Sequence, residues 1–208
     1  FDGVEFNDQI SCIDVLYDIA FLLMDLWRRH LPRHANAAFN GYLERTADLE
    51  GLPLMPLFLA CRAAVRAKTS AAAANVQSEP ARVAELQAAV YDYLVLSETL
   101  LKPPPPLLVA IGGPSGSGKS TVARALAPAM GAPPGAVILR SDVIRKREFG
   151  VEPLQHLGNE AYTSQVNERV YRIIADRART VLSAGHAVVA DAVYGSAVRR
   201  RDLAAIAR

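Results

Sequence analysis

An uninterrupted phosphate-binding loop pattern is the feature that most constrains the fold of this chain. Residues 113–120 read GPSGSGKS, which fits G-x-x-x-x-G-K-[ST], and Thr121 follows. The apolar run 107–111, bounded by prolines and Gly112, predicts a buried parallel strand in front of the loop. Residues 120–126 are compatible with a helix behind it. Strand, glycine loop and helix in this order are the context that phosphate binding requires.

The residues of the loop predict how a nucleotide would be held. Glycines let backbone N–H groups turn toward phosphate oxygens, and the helix N-terminus adds a partial positive charge. Lys119 is predicted to reach the β and γ phosphates of ATP, and the Ser120 hydroxyl to bind Mg²⁺. A flexible Gly/Ser-rich loop with a chance lysine is the alternative, which the flanking strand and helix disfavour. The predicted nucleotide-binding set is Gly113, Pro114, Ser115, Gly116, Ser117, Gly118, Lys119, Ser120 and Thr121.

A run of four prolines, Pro103–Pro106, divides the chain into two predicted domains. Such a run cannot continue a helix and favours a stiff extended segment. We expect a helical domain over residues 1–101, a linker over 102–106 and a nucleotide-binding domain over 107–208. Apolar residues at helical spacing in the first domain predict helices within 16–27, 35–49, 54–74 and 80–101.

The second domain is predicted to be α/β, with a parallel sheet covered by helices on both faces. Apolar strand-like runs alternate with helical patterns along this half, which is the order that parallel sheets show. Three strands are few for such a sheet, so we expect the domain to be incomplete at its C-terminus. The strands are predicted at 107–111, 136–140 and 187–190, and the helices at 118–127, 163–184 and 197–208.

Two aspartates follow the second and third predicted strands, at the sheet edge where open α/β sheets bind ligands. Asp191 comes directly after four apolar residues, and a carboxylate in this place can hold Mg²⁺. Asp142 is placed to accept a proton from an acceptor hydroxyl, and Arg145, one turn later, to hold the acceptor. The alternatives are that Asp191 merely begins a loop, that Ser141 or Asp142 caps a helix, and that Arg145 is solvated.

Charge and hydropathy limit the classes of partner. The net charge is +2, with 9 Lys/Arg against 13 Asp/Glu in residues 1–102 and 14 against 8 in the rest. This mildly basic second half suits a polyanionic nucleotide but does not argue for nucleic acid. No apolar run approaches the roughly 18 residues of a membrane span, so we expect no membrane partner. Cys12 and Cys61 form no recognisable pattern, so we expect reduced thiols in a cytoplasmic protein. Because the chain begins with Phe1 and ends within a helical pattern, we interpret it as an internal piece of a longer protein.

The second half resembles a known kinase family. The segments GGPSGSGKST, LRSDVIRKREFGV, EAYTSQVNERVYRII and VVADAVY look like the P-loop kinases that include gluconate-type and polynucleotide-type small kinases. That family places a base aspartate after its second strand and a metal-associated aspartate after its third, and Asp142 and Asp191 match these positions. Arg145 matches the substrate arginine of its D-x-x-R pattern. The lid arginines and the adenine-packing segment of that family would lie past Arg208.

The first half is similar to the end of an aminoglycoside-phosphotransferase-like domain. The similarity rests on FDGVEFND followed by IDVLYDIAFLLMDL. It implies that Asp2 chelates Mg²⁺ and that these helices are the remnant of a kinase-like lower lobe, whose catalytic loop would precede residue 1. The residues alone leave Asp2 and Asn7 open between ligands and turn formers. In this order the two halves resemble bifunctional aminoglycoside phosphotransferase/ATP-binding proteins, whose second half is an AAA-type ATP-binding domain.

Together these patterns predict an ATP- and Mg²⁺-dependent phosphotransferase that acts on the hydroxyl of an unidentified small molecule. Two alternatives stay open: an ATP-binding or ATPase regulatory module without a small-molecule acceptor, and a helical half that serves only as a scaffold. A GTPase is disfavoured because the chain has no guanine-reading N-K-x-D motif. The sequence leaves the oligomeric state open.

Overall fold

The computed structural model describes residues 14–152 and 154–207. Asp2, the predicted metal ligand of the first half, therefore lies outside the described residues. The helices are α1 (Val15–Arg28), α2 (Pro32–Thr46), α3 (Met55–Val76), α4 (Pro80–Leu100), α5 (Lys119–Leu126), α6 (Ser141–Glu148), α7 (Ser164–Ser183) and α8 (Ala197–Ile206). The strands are β1 (Leu108–Ile111), β2 (Val137–Arg140) and β3 (Val188–Asp191). None of these described helices is long and apolar enough to cross a membrane.

The chain divides into two compact units that do not follow its linear order. The first unit joins the described residues up to Leu31 with Leu54–Pro103, and the second joins Pro32–Pro53 with the described residues from Pro104 onward. The later division between the units falls between Pro103 and Pro104, within the proline run. The segment Pro32–Pro53 differs from the predicted boundary, because it belongs to the same compact unit as the phosphate-binding half.

The first unit is built from α1, α3 and α4. The side chain of Asp14 caps α1 by accepting a hydrogen bond from the Leu16 N–H at 2.8 Å. An apolar stripe on α1 and a row of small residues on α3 are buried, which lets the helix backbones approach closely. The Arg62 guanidinium lies 3.9 Å from the centre of the Tyr17 ring and donates to the Tyr17 carbonyl at 3.0 Å. These contacts fix the polar side of α3 against α1.

The second unit contains a parallel sheet with the strand order β1-β3-β2. The central strand β3 is fully buried, and its apolar residues pack with α5 and the 3₁₀ turn Ala127–Ala129. The register pairs Ile111 with Asp191 on one side and Arg140 with Asp191 on the other. All three strands therefore end side by side, and this edge carries the phosphate-binding loop, the start of α6 and Asp191.

Helix α2 lies along β2, on the side of that strand away from β3. The Asn40 side chain donates to the Ala136 carbonyl at 3.1 Å and accepts from the Ile138 N–H at 2.7 Å. These two bonds reproduce the pair that a neighbouring parallel strand would make. Deeper in the unit, the His186 ring nitrogen Nε2 lies 3.1 Å from the Leu52 carbonyl, so Nε2 carries the proton and donates it. The segment is thus hydrogen-bonded into the sheet at several points.

The predicted strands are confirmed to within one residue. Asp191 is the last residue of β3 and not the first residue after it. Helix α6 begins at Ser141, and its N-cap residue is Arg140, without a side-chain capping bond. Asp142 therefore lies in the first turn of α6 and does not act as the cap, which removes the capping alternative for Ser141 and Asp142.

Candidate nucleotide and phosphoryl-transfer site

The phosphate-binding loop connects β1 to α5 in a conformation that its glycines allow. Gly116 and Gly118 have φ angles of 77° and 84°, a left-handed region that other residues rarely adopt. Gly118 precedes the first residue of α5, so the unpaired N–H groups of that helix start face the loop. Lys119 Nζ donates to the Pro114 carbonyl at 2.6 Å, which folds the lysine back over the loop. The Gly113 N–H donates to the Val193 carbonyl at 3.1 Å and ties the loop to the segment after β3.

The Ser120 hydroxyl and the Asp191 carboxylate lie together at the base of the loop. Ser120 Oγ donates to Asp191 Oδ2 at 2.6 Å, and Asp191 is only 4% exposed. Hydroxyl and carboxylate oxygens are the hard ligands that Mg²⁺ prefers, and Mg²⁺ commonly takes only one or two protein ligands beside substrate phosphates. The described residues contain no group of three or more His, Cys, Asp and Glu side chains that could hold a metal alone. The donor set thus fits Mg²⁺ bound jointly with a nucleotide.

Asp142 lies at the same sheet edge with an accessible carboxylate. Its side chain is 51% exposed, and Lys146 Nζ lies 3.6 Å from its Oδ2, one helical turn later on α6. Asp142 lines the cavity at the end of the sheet, and the nearby ammonium group of Lys146 partly compensates its charge.

Arg145 occupies a more structural position than the sequence predicts. It is 6% exposed, and its guanidinium donates to the Ala161 carbonyl at 2.5 Å and to Asn167 Oδ1 at 2.7 Å. The Tyr162 ring lies 4.9 Å from the guanidinium carbon. These two bonds use two of the five guanidinium N–H donors, so the alternative of a solvated Arg145 is wrong. Arg145 borders the cavity, but it also holds the 3₁₀ turn Asn159–Tyr162 against α7.

A cavity of about 670 Å³ brings most of the predicted residues together. Ser115, Gly116, Lys119, Ser120, Asp142, Arg145 and Asp191 line it. The other predicted loop residues, Gly113, Pro114, Ser117, Gly118 and Thr121, shape the loop without lining this cavity. A further set of lining residues was not among the predicted site residues, and it comprises Arg140, Ser141, Tyr162, Asn167, Tyr171, Val193, Gly195, Ser196 and Arg199.

Several of these residues connect α7 with the segment that follows β3. The Arg199 guanidinium lies 4.1 Å from the centre of the Tyr171 ring, and the Tyr171 hydroxyl accepts from the Tyr194 N–H at 3.2 Å. Tyr194 has a φ angle of 47°, which is strained for a residue with a side chain. Burial raises the pKa of its phenol, and the nearby Tyr171 and Asp191 add to the rise. The strain and the buried hydroxyl could not be found from sequence, although the VVADAVY segment contains Tyr194.

These features define the second unit as a P-loop nucleotide-binding domain. The comparison with protein families agrees, since residues 108–208, just under half of the chain, match the family described as an AAA domain. The match begins at β1 and includes the loop, both aspartates and Arg145.

Curated relatives include uncharacterised proteins of Mycobacterium tuberculosis strains H37Rv and CDC 1551 and of Mycobacterium bovis. Each is 34% identical to this chain over 198 residues, which is 93% of the chain. The chain spans only 38% of the length of these relatives. The similarity therefore extends across both units, not the P-loop domain alone. No solved structure matches the chain.

Proposed function

We propose that the second unit is an ATP- and Mg²⁺-dependent kinase that transfers the γ-phosphate to a hydroxyl of a small polar molecule. One observation carries the proposal: Lys119, the Ser120–Asp191 pair and Asp142 face a single cavity of about 670 Å³. Nucleotide binding alone accounts for the first three groups. The accessible carboxylate of Asp142, in the helix turn that follows β2, is the additional group that phosphorylation of a hydroxyl needs.

Each residue has a distinct proposed role. Lys119 and the loop N–H groups bind the β and γ phosphates, and Ser120 and Asp191 would hold Mg²⁺. Bound Mg²⁺ would neutralise charge on the phosphate oxygens during transfer. Asp142 orients the acceptor hydroxyl and takes its proton. Arg145 offers its remaining N–H donors to the acceptor and fixes Tyr162 at the cavity wall.

For the first unit we propose a lower-lobe relationship to aminoglycoside phosphotransferases, supported by the sequence resemblance alone. Asp2 would be its metal ligand. The acceptor of the P-loop domain is a separate question, since the cavity wall carries Arg140 and Arg199 beside a single accessible carboxylate, Asp142. A neutral or anionic acceptor suits such a wall better than a polycation.

The test is phosphoryl transfer by Asp142→Asn compared with the parent chain. Labelled ATP, Mg²⁺ and a panel of metabolites and antibiotics would be incubated with each protein, and ATP affinity measured by calorimetry. We expect label on a small molecule, about 100-fold slower transfer by Asp142→Asn, and little change in ATP affinity. Asp176→Asn, an exposed residue on α7, is the matched control and should behave as the parent.

Two results would contradict this proposal, the first concerning the kinase activity and the second only the role of Asp142. ATP bound by the parent with label released only as inorganic phosphate would favour the ATPase or regulatory alternative. Unchanged phosphoryl transfer by Asp142→Asn would show that Asp142 is not the base, and it would leave the proposed nucleotide binding unaffected.

A further inference from the structure

Helix α2 runs beside β2 with matched spacing, in the same direction. Its residues Asn36, Asn40 and Glu44 are four apart and so share one face. Asn36 Nδ2 donates to the Ala136 carbonyl at 3.0 Å, Asn40 bonds to residues 136 and 138, and Glu44 lies beside Arg140. The four residue steps from Asn40 to Glu44 rise about 6 Å along the helix, and two residue steps along a strand rise about 6.6 Å. The helix is therefore held in a fixed register along the strand, and this register places Glu44 beside Arg140 at the edge of the site.

Glu44 and Asp191 flank the same arginine. Glu44 Oε1 lies 3.6 Å from Arg140 Nη1, and Arg140 Nε lies 3.9 Å from Asp191 Oδ2. Arg140 Nε is buried, and it has no hydrogen-bond partner among the described residues. The Arg140 side chain is 19% exposed, so solvent screens these charges only partly. The arginine is thus shared between two carboxylates and closely bonded to neither.

We propose that Glu44 is a positioning residue for the Mg²⁺ site, acting through Arg140. Asp191 can bind a cation only to the extent that its oxygens are not engaged by the arginine beside it. Glu44 attracts Arg140 from the opposite side and so keeps Asp191 available. This inference rests on the proposed function, in which Asp191 helps to hold Mg²⁺, and it makes a helix distant in sequence part of the nucleotide site.

The experiment measures nucleotide binding as a function of Mg²⁺ concentration, without turnover. A non-hydrolysable ATP analogue would be titrated by calorimetry into the 208-residue chain and into Glu44→Gln. Glu50→Gln is the matched control, because it makes the same charge change at an exposed position of the same segment. We expect Glu44→Gln to need about five-fold more Mg²⁺ for half-maximal enhancement of binding. Affinity for the analogue without Mg²⁺ should stay within about two-fold, and Glu50→Gln should match the parent.

A second pair of variants separates this effect from a general loss of structure. If Glu44 acts through Arg140, then adding Glu44→Gln to Arg140→Leu should leave the Mg²⁺ requirement unchanged. An equal shift in both backgrounds would overturn the inference, as would parent-like Mg²⁺ dependence in a folded Glu44→Gln. If Glu44→Gln did not fold, Glu44→Asp would replace it. We expect Glu44→Asp to raise the Mg²⁺ requirement by a smaller factor, and an unchanged Mg²⁺ requirement would overturn the inference. If Mg²⁺ did not change the affinity of the unsubstituted chain for the analogue, the proposed Mg²⁺-dependent function would be refuted, and this inference with it.

Discussion

Replacing Asn40 by alanine should destabilise the second unit strongly, although Asn40 lies outside the predicted nucleotide-binding domain, residues 107–208. The side chain is 6% exposed, and its two ends satisfy the Ala136 carbonyl and the Ile138 N–H. Alanine keeps the helix and removes both bonds, together with the bond from Asn40 Nδ2 to Asn36 Oδ1 at 3.1 Å. The Ala136 carbonyl still accepts from Asn36 at 3.0 Å, but the Ile138 N–H loses the acceptor that Asn40 provides.

The size of the destabilisation follows from this difference between the Ala136 carbonyl and the Ile138 N–H. A buried polar group left without a partner costs about 1–3 kcal/mol, and the lost bond to Ala136 adds about 1 kcal/mol. We therefore expect Asn40→Ala to lower the free energy of unfolding by about 2–4 kcal/mol. Asn159→Ala, at an exposed position in the same unit, should change it by less than about 0.5 kcal/mol.

Urea unfolding followed by far-ultraviolet circular dichroism measures the change, and hydrogen exchange locates it. The peptide that contains β2 should lose amide protection at Ile138 in Asn40→Ala, while β1 keeps more of its protection. Trp27 lies in the first unit, so its fluorescence would not report this change directly. A loss no larger than that of Asn159→Ala, with Ile138 still protected, would refute the idea that Asn40 completes the edge of β2.

Two further predictions concern charge. Lys119→Met should weaken ATP binding about 10- to 100-fold, because it removes charge-assisted bonds to the phosphates, and calorimetry against Lys102→Met, an exposed lysine in the first unit, would show it. Binding within two-fold of the parent would contradict the assigned role of Lys119. His186 is buried, and burial lowers its pKa, so the folded state disfavours the protonated ring. The stability that the neutral His186 ring provides should be present in full above about pH 6.5. As the pH falls below that value, the free energy of unfolding should decrease by up to about 1.4 kcal/mol per pH unit. Denaturation series from pH 7.5 to 5 should be flatter for His186→Gln than for the parent, and parallel curves would count against this explanation.

The parts of the fold that depend on local sequence were predictable. The loop pattern fixes β1, the turn and α5 because glycine, lysine and serine are needed there in that order. The apolar runs at β2 and β3 are equally direct, since a strand buried on both faces reads as continuous hydrophobic sequence. Asp142 and Asp191 follow from those strands, because parallel strands end at one edge of the sheet.

The parts that depend on pairing between distant residues were not predictable. Asn36 and Asn40 occur in an ordinary helical pattern, and their partners lie about 100 residues later. Arg145 was predicted to face the acceptor because of the D-x-x-R spacing. Its burial depends on Ala161 and Asn167, which no local pattern connects to it. Tertiary hydrogen bonds leave no periodic signal in a single sequence.

The position of α2 changes what should count as the nucleotide-binding domain. In the described sheet, β2 pairs with β3 on one side only, so its other side presents unpaired backbone groups unless something covers them. Asn36 and Asn40 supply that cover, and β2 leads directly into the helix that carries Asp142. A piece that begins at the proline run would therefore keep every predicted site residue of the kinase and still have an open strand edge beside the site. Failure of such a piece to bind ATP would be evidence about that edge, and only a chain that retains Pro32–Pro53 can test the roles of Lys119 and Asp191.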